Sequence, residues 1–238
     1  MSLLEFGAAV RRLMGWWWQR GNRTAEPAPT APAQGPEGIA QIGHRAYVGG
    51  LWEEIGGLQF AFLKQQGLQP EQVLLDIACG SLRLGVKAIP YLEPGHYLGV
   101  EKEQQLLDAG VEQELGEALL VSKRPRLLCS ADFAFEQLAT PVDVAIAQSL
   151  FTHLPPPLIG RCLEKLRPWL KPEGRFFATF FEVEQERANP SDPHDHGYFA
   201  YTREQMAAFG EAQGYRMDYI GDWGHPRDQV MVVYRHQD

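Results

Sequence analysis

The chain has 238 residues, enough for one sizeable core plus an appendage, and carries a formal charge of −8. That acidic balance argues against broad electrostatic binding of nucleic acid, which needs a basic surface. Cys79, Cys129 and Cys162 are scattered and form no CxxC pair, which suits reduced structural thiols in a cytosol. No apolar run reaches ~18 residues, so no bilayer-spanning segment is expected. The amino-terminal stretch, interrupted by Glu5 and with its arginines placed late, is unlike a signal peptide. A soluble, cytoplasmic protein is the expectation.

Residues 1–20 have helical periodicity, with Leu3, Phe6, Val10, Leu13, Met14 and Trp17 on one face. Trp16 and Trp18 flank that face, and Arg11, Arg12, Arg20 and Arg23 outnumber Glu5, so this end is amphipathic and basic. Weak peripheral membrane contact is one expectation for it. Docking on its own domain or on a protein partner is the other. Residues 21–38 hold four prolines and almost no large apolar group, which reads as a Pro/Ala-rich linker. The globular domain is expected over residues 39–238.

Within that domain, residues 51–66 read as a helix ahead of the first strand. Strands are then predicted near 73–77, 96–100, 126–129, 142–147, 174–181, 215–221 and 229–235, with helices near 83–91, 103–118, 156–169 and 202–213. Alternation of this kind predicts a doubly wound, mostly parallel α/β sheet with helices on both faces. Residues 73–101 are the most telling. Val73, Leu74 and Leu75 lead into Asp76; a small-residue turn of Ala78, Cys79, Gly80 and Ser81 follows; and a second apolar strand ends in Glu101. This is a βαβ unit of nucleotide-binding type, with the ligand expected beyond the carboxyl ends of the strands. Ala78 and Leu82 fill two glycine positions of a dinucleotide turn, which argues against NAD or FAD. An adenosine ligand without phosphates fits better.

The turn D-x-A-C-G-S-L-R-x-G with its acid-ended second strand resembles the first motif of class I S-adenosylmethionine-dependent methyltransferases, whose usual pattern is D-x-G-x-G-x-G. Other segments fall in that family's order: Leu127–Phe133, then Val142–Leu154, then Cys162–Glu182. The resemblance implies a seven-stranded Rossmann-like sheet ordered 3-2-1-4-5-7-6 with the seventh strand antiparallel, S-adenosylmethionine as cofactor, and methyl transfer as the activity. It also implies that Asp132 and the backbone N–H of Phe133 frame the adenine.

The remaining candidates come with alternatives. Asp76 either accepts from the cofactor's ammonium group or caps a helix. Glu101, placed about 20 residues on, suits two ribose hydroxyls. Arg83 either pairs bidentately with the methionine carboxylate or is a solvated helix arginine. Ala78, Gly80 and Ser81 form the turn that the cofactor touches. Residues 44–52, with Tyr47 and the Gly49–Gly50 pair, read as a flap over the methionine end or as an element packed on the sheet. Gln148 and His153 leave the fourth strand towards the methyl group, where His153 is a general base, an aromatic neighbour or a capping residue. The fourth-strand exit lacks the Pro-Pro-aromatic motif of amino-directed DNA methyltransferases. Asp192, His194, Asp195 and His196 match no ligand spacing, so no metal is expected. Transfer of a methyl group to a small-molecule or lipid-like acceptor is the leading expectation; a non-catalytic cofactor-binding scaffold is the alternative.

Overall fold

The computed structural model describes residues 33–196 and 198–237. The amphipathic segment 1–20, and the linker up to residue 32, lie outside the described residues. Short helices α1 (Gly35–Ile42) and α2 (His44–Tyr47) precede α3 (Trp52–Gln65). The linker expectation through residue 38 therefore overlaps a helix. Pro36 sits in the first turn of α1, where its missing N–H costs nothing, so a proline that reads as linker is here a helix start.

The sheet then builds through β1 (Leu74–Ile77), α4 (Gly85–Tyr91), β2 (Tyr97–Glu101), α5 (Gln104–Ala109), α6 (Glu117–Lys123), β3 (Arg126–Cys129) and β4 (Val142–Ala147). It is completed by α7 (Pro156–Leu166), β5 (Leu170–Glu182), β6 (Ala200–Tyr201), α8 (Arg203–Glu211), β7 (Tyr215–Asp222) and β8 (Val230–His236). The order is β3-β2-β1-β4-β5-β8-β7, with β6 paired to the end of β5. β1 to β5 run parallel to one another, and β8 is antiparallel to both β5 and β7. The path is the expected one. The additional strand, β6, is two residues long, too short to leave a periodic signal.

Alternation along the strands sends side chains to two core layers. Leu74, Val144, Ile146, Phe177, Met231 and Val233 meet α3, α4 and α5 through Phe62, Leu63, Ala88, Ile89 and Leu107. Leu75, Leu98, Ala145, Phe176, Ala178 and Val232 meet α7 and α8 through Ile159, Leu163 and Met206. The single helix expected over 103–118 is broken. After α5 comes a wide π turn, Gly110–Leu115, and Gly116 at φ +79° starts α6 afresh. Gly110 is required where it stands: a Cβ there would lie 2.8 Å from Leu82 Cγ and 2.9 Å from the Ser81 carbonyl. The absent side chain lets this segment lie directly against the turn after β1.

Candidate functional site

The turn after β1 alternates handedness. Ala78, Gly80 and Leu82 have φ of +59°, +56° and +68°, the left-handed region that L-residues other than glycine avoid at about 1–2 kcal/mol each. Leu82 is fully buried beside Leu84, Ala88, Tyr97 and Leu107, so its side chain anchors a backbone conformation that glycine would adopt freely. Gly80 is hemmed in by the flap: a Cβ on it would lie 2.8 Å from Val48 Cγ1.

Glu101, at the end of β2, is buried, and its carboxylate is tied to that turn. Oε2 accepts from Gly80 N–H at 3.0 Å, while Oε1 accepts from Lys102 N–H at 2.8 Å and Glu103 N–H at 3.1 Å. Burial pushes its pKa up, and these three donors oppose the shift. A carboxylate offers about four acceptor positions, so the remaining capacity lies on Oε2. Asp76, at the end of β1, is 3% exposed and accepts from Tyr97 Oη at 2.7 Å. Burial raises its pKa to about 7, against the opposing effects of that hydrogen bond and of Arg83.

Arg83 is a buried guanidinium without a carboxylate partner among the described residues. Nη1 donates to the carbonyls of Val48 at 3.1 Å and Gly50 at 3.0 Å, and Nη2 donates to Gln148 Oε1 at 2.7 Å. Its Nε, like the nearby Ser81 Oγ, is buried with no hydrogen-bond partner among the described residues. Burial, and then Arg227, lower its pKa to about 10. A buried donor left unpaired costs on the order of 1–3 kcal/mol, which a ligand carboxylate would recover. The turn thus fits a ligand with an adenosine at Glu101 and an amino-acid group at Asp76 and Arg83.

Gln148 leads into a polar cluster at the exit of β4, late in β5 and just before β8. Ser149 (φ +61°) donates its N–H to Thr179 Oγ1 at 2.7 Å and its hydroxyl to Gln229 Oε1 at 3.0 Å. Thr179 and Gln229, at 2.7 Å from each other, are buried polar residues in apolar strands. The sequence marks them only by a lone Thr in Phe176–Phe181 and a Gln before Val230.

Four candidates stand elsewhere. The Tyr47 hydroxyl donates to Asp195 and accepts from Gly35 N–H at 2.6 Å, and Lys102 also pairs with Asp195. Tyr47 therefore latches the flap to the loop after β5. Burial opposes ionisation of Asp195, but Lys102, Tyr47 and Gly35 outweigh it and hold its pKa low. His153 Nδ1 lies 3.1 Å from the His194 carbonyl in the same loop; since a carbonyl only accepts, Nδ1 carries the proton. The Asp132 carboxylate is turned onto α7, paired with Arg161 at 2.9 Å and Lys165 at 3.1 Å, because two cations one helical turn apart lie beside it. Phe133 is buried at φ +53°, next to Phe135. Among the described residues no group of three or more metal-ligating side chains occurs, and no helix is long and apolar enough to cross a membrane.

The sequence profile of the methyltransferase domain matches residues 75–176, the stretch from β1 into β5. Among solved structures, magnesium protoporphyrin IX methyltransferase from Synechocystis, with S-adenosylmethionine bound, is similar at TM-score 0.57 and 14% identity, covering 82% of this chain and 89% of that one. An S-adenosylmethionine-dependent methyltransferase from Clostridium acetobutylicum is similar at TM-score 0.58 and 13% identity, covering 85% and 99%. A glycopeptide N-methyltransferase complexed with S-adenosylmethionine has TM-score 0.59 and 17% identity, covering 76% and 94%. At such identities the structural likeness speaks for the fold alone, while the profile match falls on the segment that carries the turn and Glu101. Residues 75–176 thus resemble a methyltransferase domain, on a fold shared with S-adenosylmethionine-dependent methyltransferases.

Proposed function

We propose that this protein transfers a methyl group from S-adenosylmethionine to a small-molecule acceptor. The observation that carries the reading is the turn of alternating handedness between Asp76 and Arg83, bonded through Gly80 to the buried Glu101. It offers an acceptor to ribose at one end and, at the other, a cation and an acid to an amino-acid group. When bound, S-adenosylmethionine would supply a methyl group already activated by its sulfonium. What remains for the chain is alignment and exclusion of water. Val48 over Gly80 and the Tyr47–Asp195–Lys102 latch support the second task. No obligatory base is required, and His153 is proposed as an acceptor-side neighbour held by the loop after β5.

The test is calorimetric binding followed by transfer. S-adenosylhomocysteine should bind the full chain and NAD should not. Glu101→Ala should weaken S-adenosylhomocysteine about tenfold to a hundredfold, the value of one or two hydrogen bonds to a charged acceptor. Radiolabelled methyl donor should then label small-molecule fractions of cell extract. A folded protein that binds neither cofactor form would overturn the reading, and binding without transfer to any fraction would reduce it to a scaffold.

A further inference from the structure

Two guanidiniums converge on one tripeptide of the flap. Arg83 donates to the carbonyls of Val48 and Gly50, and Arg227, from the β7–β8 loop, donates to the carbonyl between them, that of Gly49. Gly49 has φ +93°, and a Cβ there would lie 2.9 Å from Arg227 Nη1, so glycine is what permits the approach. Neither arginine forms an ion pair among the described residues, although the chain as a whole is acidic. Asp228, the neighbouring acid, is not paired with Arg227 either. Two like charges bound to adjacent carbonyls repel each other, and an anion placed between or beside them removes that cost.

The cofactor has one carboxylate, and one bidentate guanidinium satisfies it. Arg83, on the turn itself, is placed for that. Arg227 lies on the other half of the sheet edge. The strand order sends β2 and β3 to one side of β1 and sends β4, β5 and β8 to the other. The adenosine end belongs with Glu101 on β2, so the β8 side faces the acceptor. His225 adds no third charge there: burial, then Arg227 and Arg83, lower its pKa to about 4, and the neutral ring accepts the Arg227 N–H at 3.2 Å. On the same side, at the end of β5, Tyr198 is stacked on Phe181 at 4.4 Å and stands half exposed. The Arg187 guanidinium lies over the Tyr198 ring, 5.3 Å from its centroid, and adds a cation on that side.

We propose that Arg227 is the specificity-determining residue on the acceptor side and that the acceptor is a small molecule bearing a carboxylate. This rests on the methyltransferase reading and deepens it. The test uses the full chain saturated with S-adenosylhomocysteine, titrated calorimetrically with benzoate and with its neutral counterpart benzamide. Benzoate should bind at least about tenfold more tightly than benzamide. Arg227→Gln should abolish that preference while leaving S-adenosylhomocysteine affinity within about twofold, and Arg227→Lys, which keeps the charge, should retain part of it. Equal binding of the two probes by the unmodified protein, or an unchanged preference in Arg227→Gln, would overturn the proposal. So would a large loss of S-adenosylhomocysteine affinity in Arg227→Gln, which would give this arginine to the cofactor. Should the glutamine variant not fold, the lysine variant carries the test alone: an undiminished preference there, or a loss of S-adenosylhomocysteine affinity, overturns it. Failure of the unmodified chain to bind S-adenosylhomocysteine would instead strike the methyltransferase reading itself.

Discussion

Restoring the family's glycines at positions 78 and 82 should have opposite effects on stability. Both residues are held at positive φ, +59° and +68°, so glycine relieves about 1–2 kcal/mol of left-handed strain at either. Against this stands the greater freedom of glycine in the unfolded chain, about 0.4–1 kcal/mol. For Ala78→Gly little else changes, because one methyl group is lost, and the net effect runs from zero to about 1 kcal/mol of stabilisation. Leu82 is different. Its side chain is fully buried against Gly85 and Gly110, whose missing Cβ atoms make room for it. Deleting a buried leucine side chain costs about 2–5 kcal/mol, more than the strain released. Leu82→Gly should therefore lose about 2–3 kcal/mol, a fall in Tm on the order of 5–10 °C for a domain of this size. Urea unfolding of the two variants beside the unmodified protein measures both. A Leu82→Gly protein as stable as its parent would show that the side chain does not anchor the turn.

Two further outcomes follow from the same turn. Arg83→Lys should weaken S-adenosylhomocysteine by roughly tenfold, as a bidentate fork becomes a point charge, while adenosine, which lacks the carboxylate, should bind both proteins alike; equal losses for the two ligands would make the arginine a structural residue only. For Asp76, burial raises the folded pKa from 3.8 to about 7, so the folded state holds the proton more tightly. The stability this contributes is complete below about pH 3.8 and is lost as pH rises through about 7. Asp76→Asn should accordingly gain on the unmodified protein as pH climbs from 4 to 8 in urea melts, and parallel pH profiles would refute the shift.

Much of the fold was legible because parallel strands buried on both faces read as short apolar runs, and because their exits carry acids. The strand path, with the antiparallel β8 between β5 and β7, is implied by the family resemblance and not by the strand pattern itself. The π turn at Gly110 and the break at Gly116 were not legible. Gly110 lies against Ser81 and Leu82 nearly 30 residues upstream, a contact that no local period records, while the break at Gly116 comes with its φ of +79°. The site divides in the same way. Asp76, Gly80, Glu101, Arg83 and Gln148 come together because each leaves a strand end or the turn itself, positions that sequence order fixes. Tyr47 and His153 lie in segments whose partners, Asp195 and His194, belong to an insertion with no pattern of its own. Asp132 has a strand-end position, yet Arg161 and Lys165 on the neighbouring helix hold its carboxylate, and a helix face four residues deep cannot be assigned to a distant loop from sequence.

The turn after β1 shows what a glycine motif encodes. Glycine at alternate positions reads as a demand for small residues, and by that measure Leu82 is a defect. The backbone instead demands positive φ at every second residue, and Ala78, Gly80 and Leu82 all meet it. The requirement for smallness is local to one of them: Gly80 faces Val48 of the flap, where a Cβ would lie 2.8 Å from Cγ1. Leu82 faces the core, where bulk is an advantage and burial of an isobutyl group outweighs a strained φ by about 1 kcal/mol. Ala78 lies between these cases, with one methyl group and no gain from burial to offset its strain. The motif is thus three separate constraints that glycine happens to satisfy together, and a chain that departs from it at two positions can retain the path of its backbone. Substitution at Gly80, the position where conformation and space coincide, is the one that this geometry does not accommodate.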